Sequence, residues 1–78
     1  MFFVYVLKSC GHDWYYVGLT TDPGKRLREH NLGGVSSTKF RRPYALVYKK
    51  EFVDRDRARD FEKYLKIRSN KEKLISSL

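Results

Sequence analysis

Seventy-eight residues form a single domain, 1–78, with a small core: a chain of this size buries little more than ~60% of its unfolded surface. Seventeen Lys and Arg against nine Asp and Glu give a net charge of +8, which points to a polyanionic partner, nucleic acid first among them. One cysteine excludes an internal disulfide and suits a reducing cytoplasm; no run approaches the ~20 apolar residues of a membrane span, and the N-terminal apolar run lacks the basic lead and small-residue cleavage site of a signal peptide.

Phe2 to Leu7 is a continuous run of aromatic and β-branched residues, the pattern of a buried strand. Trp14 to Leu19 is a second, and Ser9 to Asp13 between them reads as a hairpin connection with Gly11 at the turn. A turn centred on Cys10 and Gly11 sets Leu7 opposite Trp14 and Tyr5 opposite Tyr16. Alternation along the strands puts Tyr5, Leu7, Trp14, Tyr16 and Gly18 on one face. Two phenols then project side by side, and Gly18 opens that face to close approach. Tyrosine is also an ordinary strand residue, so a purely structural role stands beside the functional one.

Asp22-Pro23 reads as an N-cap followed by proline at the first helical position, and Gly33-Gly34 as the stop, predicting a helix from Pro23 to about Asn31. Leu27 is its only good core residue. Arg26 and His30, four apart, share a face, and Lys25 and Arg28 point elsewhere. That cationic stripe suits a phosphate; a solvated arginine and a histidine on the helix dipole are the plainer alternatives. Gly33 to Arg42 reads as a flexible basic loop. Its small hydroxyl residues, Thr38 among them, and its cations Lys39, Arg41 and Arg42 are phosphate-contacting types. Phe40 either stacks on a base or turns inward.

A third strand spans Pro43 to Phe52. Asp54 reads as the N-cap of a second helix, with Val53 placed to staple against Ala58. Ala58, Phe61 and Leu65 form its core-facing stripe. Glu62 sits at the edge of that stripe, where a carboxylate needs a cation or a metal; a salt bridge to Arg59 or Lys66 competes with metal ligation. Ser69 to Glu72 has the spacing of a capping box, predicting a last helix from about Asn70 to Ser77. Cys10, His12 and His30 match no defensible zinc spacing.

Taken together, Phe3-Val4-Tyr5, Tyr16-Val17-Gly18, Arg26 and His30 on one helix and Glu62 on a later one resemble the GIY-YIG nuclease superfamily. The stretches SSTKFRRPYALVY and ARDFEKYLK are similar to its short stand-alone bacterial members, related to the N-terminal nuclease domain of the excinuclease C subunit. Phe3 and Val4 depart from the family's glycine and isoleucine, and Asn70 is the one candidate for an asparagine some members carry. The resemblance implies an α/β (α+β) fold, a three-stranded antiparallel sheet flanked by helices in the order β-β-α-β-α-α. It implies a metal-dependent DNA endonuclease working in DNA repair or recombination, on branched or damaged DNA, with Mg²⁺ or Mn²⁺ as cofactor and a partner protein selecting the target. By that likeness Tyr5 helps activate water, Tyr16 orients groups at the phosphate, Arg26 and His30 complete the catalytic set, and Glu62 holds the metal. Gly18, Lys25, Thr38, Lys39, Arg41 and Arg42 are the expected nucleic-acid contacts. A non-catalytic basic nucleic-acid-binding module is the competing class.

Overall fold

The computed structural model describes residues 1–78 and builds one antiparallel sheet. Its strands are β1 (Phe2–Ser9), β2 (Tyr15–Thr20) and β3 (Tyr44–Phe52), in the spatial order β2-β1-β3. Helix α1 (Pro23–Asn31) follows β2; α2 (Arg55–Lys66) and α3 (Arg68–Ser76) follow β3. The expected class and element order are the observed ones.

The hydrophobic run of β1 makes it the central strand, buried on both faces. One face, Val4 and Val6 with Val17, packs on Ala58 and Leu65 of α2. The other, Tyr5 and Leu7 with Tyr44, gathers Trp14, Tyr16, Leu46 and Leu27 of α1. The sheet therefore separates two clusters, an aliphatic one under α2 and an aromatic one under α1.

The hairpin register differs from the expectation by two residues. Tyr5 pairs with Gly18 and Leu7 with Tyr16. The strands run on to Ser9 and from Tyr15, so the connection is longer than a tight turn; it closes with the Ser9 amide donating to the Trp14 carbonyl at 3.0 Å. A slip of two leaves every side chain on its expected face, because strand side chains repeat every two residues. Tyr5 and Tyr16 become diagonal neighbours, their ring centroids 6.3 Å apart.

Helix α1 has the expected bounds. Asp22 accepts from the Lys25 amide at 3.1 Å, Pro23 opens the first turn, and Gly33 at φ +83° ends the helix. The Gly34 amide donates to the Glu29 carbonyl and the Gly33 amide to that of His30, satisfying carbonyls of the last turn. Two cap expectations are corrected. Val53 is 80% exposed and staples nothing. Ser69 lies inside α3, whose N-cap is Ile67 with no side-chain bond, so the capping box is not used. Helix α3 begins directly after Ile67, leaving no loop in which a serine could cap. Asn70 instead donates to the Tyr64 carbonyl at 3.0 Å, tying α3 back to α2.

The Gly33–Arg42 segment is not a free loop. It contains a 3-10 turn, Lys39–Arg41, and is anchored at several points. The Ser9 hydroxyl donates to the Arg41 carbonyl at 2.6 Å, and the Tyr44 hydroxyl donates to that of Thr38 at 2.7 Å. Asn31 bonds both the amide and the carbonyl of Tyr44, at 2.6 and 3.2 Å.

Candidate active site

The aromatic face of the sheet carries Tyr5 at its centre. A Cβ on Gly18 would fall 2.8 Å from Cε1 of Tyr5 and closer still to its Cζ and Oη. The phenol thus lies across the strand where a side chain is missing, the physical use of glycine at this position. Beneath it, His30 is fully buried between two hydroxyls: Tyr5 Oη is 3.0 Å from Nε2 and Thr38 Oγ1 is 2.8 Å from Nδ1.

The proton order follows from the far end of this chain. Thr38 Oγ1 is 3.3 Å from the Val35 carbonyl, which only accepts, so the hydroxyl donates there. Thr38 then accepts from Nδ1–H of His30, Nε2 accepts, and the Tyr5 O–H donates to it. Burial, reinforced by the Arg26 cation, holds the His30 pKa below its usual 6.5, so the neutral ring this order requires is the favoured form. No buried side-chain nitrogen or oxygen in the protein lacks a partner.

Burial also pushes the Tyr5 phenol up to about 12. The Arg26 guanidinium pulls the other way, while Tyr16 and the Glu62 carboxylate add to the rise. Nearby cations therefore do not make Tyr5 a ready base; desolvation outweighs them. Of these groups Tyr16 is placed directly beside the phenol, its ring centroid 6.3 Å from that of Tyr5. Arg26 is part-exposed on α1, with Nη1 2.9 Å from Glu29 Oε1. The Tyr16 ring packs at a tilt against that of His30, centroids 4.9 Å apart and planes at 58°.

Glu62 arrives from the other side of the sheet. Helix α2 packs on the face opposite Tyr5, and Phe61 leans toward β3 against Phe52, ring centroids 5.6 Å apart. The opposite flank of α2 follows β2. Arg55 shares a shallow cleft with Leu19, Thr20 and Thr21, and Lys66 shares another with Asp13, Trp14 and Tyr15. Residues 55, 59, 62 and 66 form one helical stripe, so Glu62 stands beside the middle of β2, the edge strand that bears Tyr16 and Gly18. Helix α2 and Tyr5 thus lie on opposite faces of the sheet, with Glu62 on the flank of α2 that follows β2. The Glu62 side chain is 14% exposed, with Lys66 Nζ at 3.1 Å and Arg59 Nε at 3.8 Å.

No group of three or more His, Cys, Asp or Glu side chains could hold a metal ion. Cys10 and His12 are exposed on the hairpin connection, and both nitrogens of His30 are engaged, so no zinc set assembles. Glu62 is a single hard oxygen donor. That fits a divalent ion keeping its waters and taking further ligands from a phosphate, and does not fit a self-contained protein cage.

Among the expected nucleic-acid contacts, Lys25, Lys39, Arg41 and Arg42 are exposed. Gly18 is buried under the Tyr5 ring, and Thr38 is a correction: fully buried, its hydroxyl serves His30 and Val35 and presents nothing to a phosphate. Arg41 stacks 4.6 Å from the Trp14 ring centroid. Sequence reasoning missed Tyr44 and Ser9, which hold the segment carrying Thr38. The polar Ser9 at the end of an apolar strand was the available signal.

A model of the GIY-YIG catalytic domain matches residues 1–75. Domains of this type are nucleases that act on DNA and generally use divalent metals. The UPF0213 protein YazA of Bacillus subtilis is 39% identical over 72 residues, covering 91% of this chain and 72% of that one. A UPF0213 protein of Clostridium perfringens is 40% identical over 80 residues, 99% of this chain and 85% of the relative. The solution NMR structure of a UPF0213 protein from Bacillus halodurans matches with a TM-score of 0.60 and 34% identity, over 97% of this chain and 84% of that one. With the catalytic-domain match running almost end to end, this chain belongs to the GIY-YIG family.

Proposed function

We propose that the chain is a metal-dependent DNA endonuclease, a single domain that hydrolyses a phosphodiester at the β2 edge. The observation that supports it most is the cluster of Tyr5, Tyr16 and His30 beneath α1, the helix that carries Arg26, in a chain matched over residues 1–75 by the GIY-YIG catalytic domain. Glu62 would hold Mg²⁺ or Mn²⁺; when bound, the ion supplies Lewis-acid charge and a more acidic water.

The protein's own groups act around that position. Arg26 turns its fork from Glu29 to two phosphoryl oxygens, where negative charge grows in the transition state. Tyr5, its proton committed to His30, offers its remaining lone pairs to orient the attacking water, and with a pKa of about 12 it does not itself remove the proton at neutral pH. Tyr16 faces the same phosphate. His30 is a positioning residue: it fixes the direction of the Tyr5 O–H and touches no substrate. Lys25, Lys39, Arg41 and Arg42 contact the DNA backbone. The setting is cytoplasmic DNA repair or recombination, with branched or damaged DNA as substrate and a partner protein choosing the target.

One observation favours a different class. Glu62 is paired with Lys66 and Arg59, as a purely structural acid would be, and a non-catalytic binder needs no free carboxylate. Nicking of supercoiled, branched and single-stranded DNA, with Mg²⁺, Mn²⁺ or EDTA, separates the two. Cleavage that requires the ion and disappears in both Arg26→Ala and Glu62→Ala is the expected result. DNA binding without cutting in any of these conditions would leave the binder.

A further inference from the structure

The Gly33–Arg42 segment holds Lys39, Arg41 and Arg42 and no acidic residue, and none of the three is within ion-pair distance of a carboxylate. Phe40 stands among them at 82% exposure, with the Lys39 ammonium 5.0 Å from its ring centroid. Isolated exposed aliphatics need no explanation. A whole aromatic ring held out between unpaired cations is a different object, because it combines a stacking surface with an anion-binding rim.

The backbone beneath the ring is fixed. The Ser9 hydroxyl holds the Arg41 carbonyl, the Tyr44 hydroxyl holds that of Thr38, and Arg41 lies on Trp14. A ring presented from so constrained a turn loses little further freedom when it binds. The platform is also joined to the catalytic phenol: Thr38, two residues before Phe40, reaches Tyr5 through His30. That chain runs from the segment bearing Phe40 to the phenol through two hydrogen bonds, of 2.8 and 3.0 Å, on either side of one imidazole.

We propose that Phe40 is a stacking wedge that receives an unpaired base of the bound DNA. It would make DNA with a bulged or branched nucleotide the preferred ligand of the domain. Cations without acids select a polyanion, and the free ring selects a polyanion with exposed planar faces; in a perfect duplex those faces are covered. This rests on the nuclease reading for DNA as the ligand, but its binding step needs neither metal nor cleavage.

The test is fluorescence anisotropy in EDTA, comparing a perfect duplex with the same duplex bearing one bulged nucleotide. Wild type is expected to prefer the bulge about tenfold, and Phe40→Ala to bring the ratio to about one. Phe40→Trp should restore the preference. Lys39→Ala should weaken both ligands together and leave the ratio. Equal wild-type affinity for the two DNAs, or a preference that survives in Phe40→Ala, overturns the wedge. If that happens while Mg²⁺-dependent nicking persists, the nuclease reading stands alone; if wild type binds no DNA, both are lost.

Discussion

A methyl group at position 18 would land on the phenol of Tyr5. Gly18→Ala is therefore expected to push the ring off His30, costing about 1–3 kcal/mol of stability in urea unfolding and most of the nicking activity. Thr38→Val is the complementary change. It keeps the shape and leaves the buried Nδ1–H of His30 with no acceptor, a penalty of about 1–3 kcal/mol. The His30 pKa is lowered in the fold, so the unfolded chain binds the extra proton first. Stability is then complete above the unfolded value of about 6.5 and declines as pH falls below it. Urea midpoints measured between pH 7.5 and 5 should show that decline in wild type and a smaller one in His30→Gln. At this scale Glu62 stood out because a carboxylate at the edge of a core stripe needs a partner, whereas Tyr5, Tyr16 and Arg26 are ordinary in their local patterns and only their ordered spacing singled them out. Thr38 was not: whether a hydroxyl in a serine- and threonine-rich stretch faces water or a histidine depends on Tyr44 and Ser9, which are remote or on another element.

Elements were legible wherever local signals were sufficient. Asp22-Pro23 and Gly33 set both ends of α1 because caps and positive φ are decided within a few residues. The hairpin register was missed by two because the Cys10–Trp14 connection is longer than the tight turn its glycine suggested. The face assignment survived, since hydrophobic alternation fixes face but not offset. The Ser69–Glu72 box failed because α3 starts at once after Ile67. Helix α2 carries the most testable consequence. Lys66 lies 3.1 Å from the Glu62 carboxylate and competes there with any bound cation. The Lys66 side chain is about half exposed, and such pairs are worth ~0–1 kcal/mol. Lys66→Ala should thus lower the Mg²⁺ concentration for half-maximal nicking by about two- to fivefold. An unchanged or higher requirement would separate Glu62 from the metal.

For the whole molecule, charge dominates. A net +8 with an acid-free segment around Phe40 predicts binding that weakens steeply with salt. The logarithm of the DNA affinity should fall linearly with the logarithm of KCl concentration, and removing both Arg42 and Lys39 should flatten the slope by about two. No helix is long and apolar enough to cross a membrane. At the alkaline limit, Tyr5 with a pKa of about 12 stays protonated in the fold after its unfolded counterpart ionises near 10. Stability therefore erodes as pH rises from about 10 to 12, and phenolate absorbance should show Tyr5 titrating last or only on unfolding.

The sheet stands between the Tyr5 phenol and helix α2, which carries Glu62. Ala58 and Leu65 bury α2 against Val4, Val6 and Val17, so Glu62 cannot leave its place without opening the aliphatic cluster. Heating should therefore silence the nuclease in the same transition in which near-ultraviolet circular dichroism reports loss of the aromatic cluster.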